Sequence, residues 1–152
     1  MKKFSHVTFV VRDLEKTMKL YEDLLGLVPG SKGFINEFPG AKIGILPFEH
    51  IRIEFLQLLT DEPNPFTDFL NKNGDGIFSY CFMIDNYDEE IQKLKAQGLE
   101  IEEAVQDWLF PGYSFRIAWI LPEAGLGTRV ELAEYNALPP SEQEWGDKAL
   151  AG

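Results

Sequence analysis

Apolar and polar side chains alternate between residues 5 and 11, with Val7, Phe9 and Val11 on one side and His6, Thr8 and Val10 on the other. That pattern predicts a strand whose two faces meet different environments. Asp13 stands where a helix cap is needed, and Leu14, Met18, Tyr21 and Leu25 follow at helical spacing, so an amphipathic helix comes next and ends at Gly26. Three strands are predicted after it, near 32–37, 42–47 and 51–58, with turns at Gly33 and Pro39-Gly40. In the third, Ile51, Ile53 and Phe55 point one way, Arg52 and Glu54 the other. A helix from Pro65 to Asn71 and the loop Gly74-Asp75-Gly76 then lead into a second half.

The second half repeats the first. Tyr80, Phe82 and Ile84 alternate with Ser79, Cys81 and Met83. Asn86 and Glu89 form a predicted capping box. Tyr87, Ile91 and Leu94 make a helical stripe, each at the same distance after Leu14, Met18 and Tyr21. Gly98 closes that helix, and strands are predicted near 100–105, 113–121 and 127–134, the last carrying Arg129 and Glu131 as the counterparts of Arg52 and Glu54. The predicted class is α+β, with two tandem βαβββ modules whose curved sheets enclose a cavity. Module 1 covers residues 4–60, a connector 61–76, module 2 residues 77–134 and a polar tail 135–152. Neither half could bury both faces of its sheet alone.

Composition narrows the class of partner. With a formal net charge of -11, the chain is expected to avoid nucleic acid and anionic membranes. No apolar run reaches the roughly 20 residues that span a bilayer, and Met1-Lys2-Lys3-Phe4 leads straight into a strand with no secretory leader pattern. The single cysteine, Cys81, excludes an internal disulfide and fits a cytoplasmic location.

Strand phase assigns the uniformly apolar faces to the helices and the mixed faces to the cavity. His6, Thr8, Arg52, Glu54, Ser79, Cys81, Arg129 and Glu131 therefore face inward. A mid-strand carboxylate between apolar neighbours is costly unless paired or bound to a metal, and Glu54 and Glu131 occupy equivalent positions in the repeat. Arg52 and Arg129 each precede a glutamate by two residues on the same face. They either neutralise it or bind a carboxylate or thioester oxygen of a substrate. Cys81 reads as a small core or cavity residue. Trp108 and Phe110, beside Pro111-Gly112, read as an apolar rim or a dimer contact.

Residues 4–134 resemble the vicinal oxygen chelate superfamily, which includes the glyoxalase I and methylmalonyl-CoA epimerase families. The resemblance rests on Ser5-His6-Val7, Asp13-Leu14-Glu15-Lys16-Thr17 with Tyr21, and the close Gly127-Thr128-Arg129-Val130-Glu131-Leu132. It implies metal ligands at the start of the first strand and on the last strand of each half, here His6, Glu54, Ser79 and Glu131. Ser79 stands where the metal-dependent members carry histidine, and a hydroxyl is a poor ligand for a transition metal. The implied set is thus His6, Glu54 and Glu131 around zinc, nickel, cobalt, manganese or iron, with Ser79, Arg52, Arg129, Trp108 and Phe110 toward substrate. The implied chemistry is proton abstraction α to a carbonyl or thioester by Glu54 and Glu131, with a metal-stabilised enolate or enediolate, in an isomerase, epimerase or lyase. The resemblance equally admits a metal-free binding protein of the bleomycin-resistance type. A dioxygenase is disfavoured, because its iron needs a second histidine. A homodimer is expected.

Overall fold

In the computed structural model, residues 2–26, 33–48, 51–105 and 116–134 are described. The first half contributes β1 (Lys2–Val10), α1 (Leu14–Leu25), β2 (Phe34–Glu37), β3 (Ala41–Phe48) and β4 (Ile51–Leu58). After α2 (Pro65–Asn73), the second half contributes β5 (Gly76–Ile84), α3 (Tyr87–Ala96), β6 (Ile101–Val105), β7 (Arg116–Ile120) and β8 (Arg129–Glu134). The βαβββ order thus occurs twice. The two sets of strands merge into one curved sheet of order β2-β3-β4-β1-β5-β8-β7-β6. Its join is the antiparallel pairing of β1 with β5, while β1–β4 and β5–β8 are parallel. All eight strands of this sheet belong to one chain.

The two faces are packed differently. On the outer face, Val11, Ile53 and Phe55 pack with Leu14 and Met18 of α1, joined by Val7, Phe9, Tyr21 and Leu25. The equivalent cluster in the second half sets Ile84, Ala118 and Leu132 against Tyr87 and Ile91 of α3. On the inner face one cluster crosses the whole sheet, from Ile43 and Ile45 through Val10, Cys81 and Met83 to Ile117 and Trp119. Phe66 of α2 belongs to it, so the connector helix is seated inside the curve.

Helix ends follow local chemistry. Asp13 accepts a bond from Lys16 N at 3.0 Å, and Gly26 closes α1 at φ 59°, where a side chain would be strained. The expected box at Asn86 does not form: its amide donates instead to the Glu89 carboxylate at 3.4 Å, and no side chain caps α3. A true capping box opens α2, where Asn64 Oδ1 accepts from Phe66 N and Thr67 N, and Thr67 Oγ1 accepts from Asn64 N. Among the described residues no helix is long and apolar enough to cross a membrane.

Gly44 lets α1 approach β3. A Cβ there would lie 2.2 Å from Met18 Sδ and 3.1 Å from Leu14 Cδ2, and one at Gly33 would lie 2.6 Å from Met18 Cε. Met18 lies between the two glycines and is buried, which leaves it little room to shift. Gly44→Ala is expected to destabilise by about 1–3 kcal/mol, as overpacking does, seen as a lower urea midpoint. An unchanged midpoint would mean that α1 can shift without cost.

Candidate metal and proton-transfer site

Two rows of side chains cross the four central strands on the inner face. Arg52, His6, Cys81 and Glu131 are successive neighbours from β4 through β1 and β5 to β8. Glu54, Thr8, Ser79 and Arg129 form the second row in the same way. The repeat exchanges the rows: Arg52 corresponds to Arg129, Glu54 to Glu131, His6 to Ser79 and Thr8 to Cys81. Each half also carries a bulge directly before its first site residue. In the β1–β5 ladder Ser5 and Phe78 are the extra residues, so the strands bend where His6 and Ser79 begin.

Of the expected set, His6 lies near both carboxylates, but the close group joins His6 and Glu131 with Cys81 and leaves Glu54 outside. His6 Nε2 lies 3.8 Å from Glu54 Oε2. Ligand atoms of His6, Cys81 and Glu131 all lie within 4.8 Å of one another, and all three residues are buried. A four-coordinate ion with bonds of about 2.0–2.3 Å sets its donor atoms roughly 3.3–3.8 Å apart. The spread here, within 4.8 Å, is somewhat wider than that. The imidazole, the thiol and the Glu131 carboxylate nonetheless form a group that could hold a divalent ion, and Glu54 stands beside the imidazole, outside that group.

Each site group has a distinct environment. Glu131 Oε2 accepts from Trp119 Nε1 at 2.9 Å and from Ser79 Oγ at 3.5 Å. Burial pushes its carboxyl above the usual range, and the bonds from Trp119, Cys81 and Ser79 pull part of the way back. Burial, followed by the charge of Glu131, raises the Cys81 thiol well above its ordinary value. Burial first, then the Arg52 guanidinium, holds the His6 imidazole well below 6.5 and so neutral, the form that ligates metals. Glu54 sits nearer to solvent, its side chain 12% exposed, and accepts from Thr8 Oγ1 at 3.4 Å.

The arginines behave differently from one another. Arg52 donates to Ser5 Oγ at 2.8 Å and lies 3.3 Å from His6 Nδ1, which is itself 2.9 Å from Ser5 Oγ. It thus braces the histidine from behind. Of the two roles open to Arg129, the neutralising pair with Glu131 is not formed. Arg129 lies over the Phe78 ring at 4.6 Å, and its buried Nε has no hydrogen-bond partner. The bulge explains this, because the extra residue Phe78 offers the guanidinium an aromatic face.

Trp119 and Cys81 were not anticipated as site residues. Trp119 is the cross-strand neighbour of Glu131, but the unbroken apolar run of β7 hides which side chains face inward. Cys81 was legible as inward-facing by strand phase; its nearness to His6 depends on the β1–β5 register. Trp108 and Phe110 lie outside the described residues. A separate cleft of about 290 Å³ opens by α2, lined by Val11, Arg12, Gln57, Thr60, Thr67 and Asn71 among others, and contains none of the site groups.

Comparison with known proteins identifies the family and the fold. Residues 5–112 match the profile of the Glyoxalase/Bleomycin resistance protein/Dioxygenase superfamily. The chain is 26% identical to the uncharacterized protein YqjC of Bacillus subtilis over 149 residues, covering 95% of this chain and 100% of YqjC. It is 30% identical to the mitochondrial methylmalonyl-CoA epimerase of Bos taurus over 105 residues, covering 67% of this chain and 59% of the bovine protein. In fold it matches the crystal structure of methylmalonyl-CoA epimerase from Mycobacterium tuberculosis with TM-score 0.64 at 24% identity, covering 92% of this chain and 91% of that one.

Proposed function

The chain belongs to the glyoxalase/bleomycin resistance protein/dioxygenase superfamily, and from that premise we propose that it is a metal-dependent isomerase, epimerase or lyase of the glyoxalase type. It moves a proton at the carbon α to the carbonyl of a small thioester or related substrate. The observation that carries this reading is the convergence of one carboxylate from each half with the His6 imidazole on the inner face. The bovine epimerase relative supports a thioester substrate.

His6, Glu54 and Glu131, with Cys81 beside them, would hold the ion, which when bound supplies Lewis-acid polarisation of a carbonyl oxygen. Arg52 and Ser5 fix the imidazole. Glu54, the more accessible carboxylate, takes the α-proton. Glu131, whose buried carboxyl binds a proton more tightly than a solvated one, returns it. The two carboxylates come from different halves, on β4 and β8, and in this reading each addresses one face of the substrate carbon. Trp119 fixes the Glu131 carboxylate. Such paired acid–base groups contribute roughly 10²–10⁴-fold each. The reading includes a homodimer, supported by β2 and β6 being the edge strands among the described residues and testable by light scattering, and a cytoplasmic location.

The test is deuterium uptake at the α-carbon of methylmalonyl-CoA, and of simpler acyl thioesters, in D₂O by protein loaded with zinc, cobalt, nickel, manganese or iron. Exchange above buffer background, lost with metal in His6→Ala, is expected. A second reading, a metal-free binding protein of the same fold, draws on Glu131 having hydrogen-bond donors without an ion. Saturable ligand binding with no exchange and no metal uptake would select it.

A further inference from the structure

The inference here deepens the metal reading of the same site and rests on it. Where the resemblance implies an imidazole, this chain has Ser79, whose hydroxyl donates to Glu131 and is a poor transition-metal ligand. Two residues further along the same strand, and on the same face, stands Cys81. It is fully buried, and its neighbours across the sheet are His6 on one side and Glu131 on the other. Ligand atoms of these three residues fall within 4.8 Å of one another. The repeat counterpart of Cys81 is Thr8, so only the half that lost the imidazole carries the sulfur.

We propose that Cys81 takes over the vacated coordination position, so that Cys81 Sγ, His6 Nε2 and a Glu131 oxygen bind a thiophilic divalent ion, with Glu54 as the remaining carboxylate. The thiol proton, now directed at Glu131, leaves to solvent as the sulfur–metal bond forms. No electron is transferred, and the ion keeps its oxidation state. A site containing one thiolate prefers zinc or cobalt(II) over manganese or magnesium, which favour oxygen donors. Metal choice in this chain is therefore set by Cys81.

The full chain, stripped of metal by chelation, is titrated with cobalt(II) and followed by absorption. A sulfur-to-cobalt charge-transfer band in the near ultraviolet is expected, together with intense visible bands of a low-coordinate ion, all displaced by zinc. In Cys81→Ser the charge-transfer band disappears and zinc affinity falls by about 10- to 100-fold or more, since losing even a supporting partner of a ligand costs that much. Manganese affinity is unchanged. A melting curve of the metal-free variant checks that it folds, and if it does not, the wild-type cobalt spectrum alone decides. Cobalt bound without the charge-transfer band, or wild-type zinc affinity in Cys81→Ser, overturns the role of Cys81 and leaves the metal reading standing. Failure of any divalent ion to bind overturns both.

Discussion

Replacing Glu131 with glutamine is expected to reduce α-proton exchange by roughly 10²–10⁴-fold and, in the same protein, to raise the melting temperature of the metal-free form at neutral pH. The two effects have one cause. Glu131 is 7% exposed, and burial raises its carboxyl above the ordinary 4.5. Between 4.5 and that higher folded value the native state binds more protons than the unfolded chain. Stability contributed by this group is therefore present below the unfolded value and lost as pH rises through the folded one. At neutral pH, above the unfolded value, the burial of this acid opposes folding. Glutamine keeps the oxygen that accepts from Trp119 and discards the charge. The gain in stability should be small near pH 4, grow as pH rises, and then level off. Melting curves across that range, beside exchange rates, measure both effects. If Glu131→Gln melts lower than wild type at pH 7, the carboxylate is better solvated or paired than its surroundings indicate.

Phe78→Ala is expected to cost about 3–5 kcal/mol, the range for removing a large aromatic from a core. Phe78 is fully buried and its ring meets Phe66 at 4.6 Å, Phe69 at 5.5 Å and Trp119 at 5.5 Å. Two of these partners belong to α2, so Phe78 is what seats the connector helix against the sheet. The same ring lies under Arg129, and its carbonyl accepts from Thr128 Oγ1 at 3.1 Å. Truncation removes the aromatic seat and leaves a guanidinium over a void. Urea unfolding should show the loss as a shifted midpoint. Leu126→Ala, on a turn where the side chain is 48% exposed, should stay within about 0.5 kcal/mol. A cost below about 1 kcal/mol for Phe78→Ala would show that α2 is held elsewhere.

The outer-face helices show how far one-dimensional pattern reaches. Leu14, Met18, Tyr21 and Leu25 meet Phe9 and Phe55 because periods of 3.6 and 2 select fixed faces before any tertiary contact forms. The capping of α3 shows where it stops. Asn86 and Glu89 have the right spacing for a box, yet their side chains bond each other, a choice between local partners of similar energy.

The site divides along the same line. Placement of His6, Glu54, Ser79, Cys81, Arg129 and Glu131 on one face was determined by the sequence itself, because alternation is a property of the extended backbone. So was the twofold plan, since each half repeats strand phase, helix stripe and closing Arg-x-Glu in one order. Which of those side chains touch was decided only in three dimensions. The bulges at Ser5 and Phe78 set the β1–β5 register, placing Cys81 between His6 and Glu131 and turning Arg129 onto an aromatic ring. A register is the outcome of competition among all the packing on both faces of a sheet, and a shift of one residue would reverse every assignment. No local stretch of the chain contains that information.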